Sequence, residues 1–92
     1  MILTSQLKFP LGQIVITPNA LGKLASDEIL KALDRHVQGD WGDLDKDDKT
    51  ENDIALENGF RILSAYQSNG IKFWIITEAD RSSTCVLLPE DY

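Results

Sequence analysis

The sequence predicts a single α+β domain: a short N-terminal strand, two to three helices, then a three-stranded antiparallel meander. Three observations carry that expectation. An Asn69-Gly70 step separates two β-rich runs, apolar residues recur at helical spacing over residues 27–37, and 92 residues suffice for one core only. Residues 1–7 show no strong pattern and read as a lead-in segment, so the domain is expected to span residues 8–92.

Phe9-Pro10-Leu11-Gly12 reads as a turn, and Gln13 to Thr17 as a β-branched strand. Thr17-Pro18 starts a helix, with the hydroxyl as N-cap and proline at the first helical position; it runs to about Leu24. Ser26 reads as a second cap, with Asp27 and Glu28 in the first turn of a helix reaching Val37. Ile29, Leu30, Leu33 and Val37 share its apolar face. A third helix is expected from Lys46 to Asn58, capped by Asp45 and stopped by Gly59. It is mostly polar, so it should lie on the surface and dock through a narrow stripe.

Phe60–Gln67, Ile71–Thr77 and Thr84–Leu88 are the expected meander strands. Asn-Gly suits a two-residue hairpin loop because both positions tolerate positive φ. Such a loop sets Ser68 opposite Ile71, Tyr66 opposite Phe73, Ala65 opposite Trp74 and Leu63 opposite Ile76. Continued outward, it sets Arg61 opposite Glu78, a charge pair worth at most about 1 kcal/mol. The next turn would place Cys85 beside Ile76 and Leu87 beside Trp74. Leu63, Ala65, Trp74, Ile76, Cys85 and Leu87 then share one face; Ile62, Tyr66, Phe73, Ile75, Val86 and Leu88 share the other. Both faces are apolar, so each needs a cover. Helices can supply one. The N-terminal segment, the acidic helix or a second copy of the chain is expected on the other.

Charge is segregated. Residues 40–57 hold eight acids (Asp40, Asp43, Asp45, Asp47, Asp48, Glu51, Asp53, Glu57) against Lys46 and Lys49, so the whole net charge of −6 lies there. A field of that sign repels phosphate, which disfavours direct nucleic-acid binding and suits a basic protein partner. Asp43, Asp45 and Asp47 alternate like the first ligands of an EF-hand loop. The sixth position, however, is Asp48 rather than Gly and the twelfth Ile54 rather than Glu, so no metal site is expected. One His and one Cys rule out a zinc cluster. No cofactor fingerprint is present. A single cysteine and the absence of a signal-like or membrane-spanning run point to a cytoplasmic protein without a disulfide.

Three further features carry chemistry. His36 is either a general base oriented by Asp34 or Asp40, or a residue meeting the last carbonyls of its helix. Trp41, in the loop Asp40-Trp41-Gly42-Asp43, is either a plug in the core or an anchor for a partner. Arg81, among Glu78, Asp80, Ser82 and Ser83, either binds an anion or sits in a turn whose side chains satisfy its own backbone. No catalytic set is expected. The surface expected to meet a partner comprises Asp40, Trp41, Asp43, Asp45, Asp47, Asp48 and Glu51, and a possible ligand site comprises His36, Arg61 and Arg81.

In the stretches His36–Leu44, Gly59–Tyr66, Trp74–Ser82 and Leu87–Tyr92, the chain resembles a family of small bacterial proteins often encoded on plasmids and other mobile elements, labelled plasmid-related or as a type I restriction methylase subunit. The resemblance covers roughly residues 8–92. This chain has neither an Asn-Pro-Pro-Tyr nor an Asp-Pro-Pro-Tyr motif. A strand, helices and a meander are also similar in topology to RelE/ParE-type toxins, which implies a catalytic role for basic residues such as Arg61 and Arg81. The expected function is a non-enzymatic interaction module, one version being a nucleic-acid mimic. A toxin-like or small hydrolytic enzyme using His36, Arg61 and Arg81 is the alternative.

Overall fold

The computed structural model describes residues 7–92; the expected lead-in lies almost wholly outside them. Four strands, β1 (Gln13–Ile16), β2 (Ile62–Ser68), β3 (Ile71–Thr77) and β4 (Ser83–Leu87), form one mixed sheet in the order β1-β4-β3-β2. Three helices, α1 (Pro18–Lys23), α2 (Ser26–Val37) and α3 (Lys46–Asn58), precede β2, and a 3-10 turn, Pro89–Asp91, follows β4. The α+β class holds, but the sheet is larger than the expected meander. Strands β2, β3 and β4 pair antiparallel in sequence order, and β1 joins them parallel to β4, with Gln13 opposite Ser83 and Ile16 opposite Val86.

Local chemistry accounts for most boundaries. The Thr17 hydroxyl accepts the Ala20 N–H at 3.1 Å at the start of α1. Asp45 accepts the Asp48 N–H at 2.8 Å at the start of α3, and Gly59 ends that helix at φ 73°. Ser26 corrects the expectation: it is the first residue of α2, and Ala25 before it caps without a side-chain bond. Asn69 and Gly70 take φ of 51° and 81°, the left-handed pair that lets a two-residue loop match strand twist. The register follows the expected one across β2, β3 and β4.

The main core lies between one sheet face and helices α1 and α2. Ala20, Leu24, Ile29 and Leu33 pack there against Tyr66, Phe73, Ile75 and Val86. A second cluster joins Phe9, Trp41, Ala55 and Ile62. Helix α3 buries only Asn52 and Ala55, the narrow stripe its composition implies. It stands along the free edge of β2. The Asn52 amide donates to the Leu63 carbonyl at 2.6 Å, and its oxygen accepts the Leu63 N–H at 3.3 Å, as a neighbouring strand would.

The opposite sheet face carries a contact outside the expected covers. Tyr92 meets Trp74 edge-on at 5.7 Å between ring centroids, and the Arg61 guanidinium lies 5.6 Å over the Tyr92 ring while donating to its hydroxyl at 2.6 Å. On this face Ile76 and Leu87 are buried, whereas Leu63, Ala65, Trp74 and Cys85 stay half-buried. Arg61 therefore does not pair with Glu78; the neighbouring aromatic ring holds it instead. Asp91 fixes the segment by accepting from the Thr17 hydroxyl (2.7 Å), the Asn19 amide (3.3 Å) and the Leu88 N–H (3.1 Å). Among the described residues, no helix is long and apolar enough to cross a membrane.

Candidate partner surface beside the acidic helix

His36 lies in the last turn of α2 on its buried side and is 0% exposed. Its Nδ1 is 2.6 Å from the Ser64 Oγ and its Nε2 2.8 Å from the Thr77 Oγ1. Thr77 is 2.7 Å from Thr84, whose hydroxyl donates to the Leu11 carbonyl at 2.7 Å. A carbonyl only accepts, so the protons from Leu11 back to Nε2 are assigned in turn, and burial, which keeps the ring neutral, assigns the one at Nδ1. Thr84 gives its hydrogen to Leu11, so Thr77 donates to Thr84. His36 then donates from Nε2 to Thr77, and Ser64 donates to Nδ1. Imidazole is neutral in this arrangement, and burial, followed by the Arg81 charge, pushes its pKa down to about 3. The chain of bonds ties α2 to β2, β3, β4 and the segment before β1, and its four side chains are fully buried.

Trp41 is 4% exposed. Its ring stacks on Phe9 at 6.3 Å and meets His36 edge-on at 6.0 Å, while Nε1–H donates to Asp53 at 2.9 Å. It plugs the core and is not a surface anchor. The loop carrying it seals the β2 edge: Asp43 N–H donates to the Ala65 carbonyl at 2.7 Å, and Ala65 N–H to the Trp41 carbonyl at 3.2 Å. Gly42 sits between these bonds at φ 80°, where a Cβ would collide with the Ala65 carbonyl. Asp40 is engaged with Arg35 in a two-point pair at 2.7 and 3.2 Å. That hydrogen bond holds its carboxyl below the usual range.

Arg81 is a clamp. Its guanidinium donates to the carbonyls of Phe60 (2.7 Å), Glu78 (3.1 Å) and Ala55 (3.1 Å) and lies 5.6 Å over the Phe9 ring. Helix α3 has no basic residue in its last turn, and Arg81 brings a cation to that end from another element. His36 and Arg81 thus meet the same Phe9 ring, the imidazole edge-on at 5.2 Å and the guanidinium 5.6 Å over it, whereas Arg61 stacks on Tyr92.

Asp43, Asp45, Asp47, Asp48, Glu51, Asp53 and Glu57 are all exposed. Ion pairs among the described residues are Lys23–Glu90 and Arg35–Asp40, so none of these seven acids has a cationic partner there. Between α3 and β2 lies an open groove of about 540 Å³. Asp48 and Glu51 form part of its wall, Leu44, Ile54, Phe60 and Leu63 supply apolar surface, and Arg61 also lines it. Ile54 is 48% and Phe60 57% exposed. Sequence reasoning assigned Phe60 to a strand and missed this groove. The signal present was the 48, 51, 52, 55 spacing, which sets Asp48 and Glu51 on the same stripe as the docking residues Asn52 and Ala55.

No protein-family model, curated protein or solved structure matches the chain.

Proposed function

We propose that this chain is a non-enzymatic interaction module of bacterial mobile elements that offers the surface of α3 to a basic protein partner, in one version as a nucleic-acid mimic. The observation carrying this reading is the set of seven exposed acids from Asp43 to Glu57 without a cationic partner among the described residues. Such a concentration of like charge disfavours the isolated fold by self-repulsion and gains from a cationic surface. Asp45 and Asp53 also serve the fold, through the α3 cap and the Trp41 indole. Asp43, Asp47, Asp48, Glu51 and Glu57 remain as the recognition set. Pull-down from a bacterial host should capture a basic protein, and the quadruple variant Asp43→Asn, Asp45→Asn, Asp47→Asn, Asp48→Asn should lose it. Unchanged capture would sink the proposal. Genomic neighbours test its setting: a defence or restriction cluster supports it, and an antitoxin gene favours the toxin-like alternative.

A further inference from the structure

Resting on that reading, we infer that the groove between α3 and β2 seats a basic amphipathic segment of the partner, with an apolar side chain on Ile54, Phe60 and Leu63 and lysine or arginine beside it meeting Asp48 and Glu51. The argument is complementarity on both counts. Ile54 and Phe60 are about half exposed at the foot of the most acidic surface of the molecule, an unusual place to leave apolar area in water. A purely cationic occupant would leave that area wet. A purely apolar one would strip water from two carboxylates without giving them partners. An acidic one is repelled. Arg61 is already engaged by Tyr92, so it leaves the two carboxylates free and gives the groove a polarity, cationic residues being directed toward α3 and away from the Arg61 end.

Titration with two probes followed by backbone amide NMR separates this inference from the reading beneath it. One probe is a helical peptide with leucines at i, i+3 and i+4 spacing and lysines elsewhere; the other is oligolysine of equal charge. The expected result is shifts at Ile54, Phe60 and Leu63 with the leucine-lysine peptide, and binding at least about tenfold tighter than oligolysine, a difference of ~1.4 kcal/mol. Phe60→Ala with Ile54→Ala should abolish that advantage, and Asp48→Asn with Glu51→Gln should weaken binding of both probes. All four side chains line an open groove, and a thermal melt confirms that each variant folds. Equal affinity for the two probes, with no shift at Ile54, Phe60 or Leu63, overturns the groove and leaves the acidic-surface reading standing. Binding of neither probe overturns both.

Discussion

His36 shows how one residue's chemistry is set by what surrounds it. At a helix end near two carboxylates it is a candidate base; held between the hydroxyls of Ser64 and Thr77 it is a neutral link in a buried line of hydrogen bonds. Its folded pKa lies below the unfolded value of about 6.5, so the unfolded chain takes up a proton first as pH falls. Stability is full above about pH 6.5 and declines as pH drops toward 3, by on the order of 5 kcal/mol at about 1.4 kcal/mol per unit. Urea unfolding across that range should show the loss, and a flat stability profile would refute it. Thr77→Val keeps the shape of the side chain but leaves the His36 N–H without its acceptor, so a loss of about 1–3 kcal/mol is expected in the same assay. Part of this network was legible: Ser64, Thr77 and Thr84 fall on the inward side of their strands once the register is known. That His36 completes it was not, because nothing local specifies how α2 lies across the sheet.

Elements formed where their own residues sufficed. The Asn69-Gly70 turn, the Asp45 cap and the Gly59 stop are local devices, and each stands where the sequence put it. Asp45→Ala should cost about 1 kcal/mol by removing the α3 cap, measured by chemical denaturation. Ser26 failed as a cap because Ala25 takes the extended conformation that a cap requires, placing Ser26 already inside the helix. The edge of β2 is a non-local construction, since Trp41, Asp43 and Asn52 reach it from earlier in the chain. Gly42→Ala sets a Cβ against the Ala65 carbonyl in the disfavoured half of φ. It should destabilise by more than Gly70→Ala, where open space surrounds the added Cβ and the cost is about 1–2 kcal/mol of backbone strain. Thermal unfolding of the pair decides this ordering.

At the scale of the whole molecule, the segregation of −6 into one segment becomes a one-sided field once α3 is fixed beside β2. Affinity for a basic protein should therefore fall steeply with ionic strength, as the Debye length shrinks from about 10 Å at 0.1 M salt to about 3 Å at 1 M. Calorimetry over a salt series measures it, and salt-independent affinity would argue against the acidic surface. Helix class, hairpin register and charge placement were determined by the sequence alone, because each depends on residues a few positions apart or directly across a two-residue turn. Only the tertiary structure decided that β1 pairs with a strand seventy positions away, that Tyr92 lies against Trp74 on the second sheet face, and that Trp41 turns inward. Those outcomes depend on burial shared among distant segments, and no local pattern encodes which distant surface is nearest. The α+β class survived unchanged, while the expected meander became three strands of a four-stranded mixed sheet.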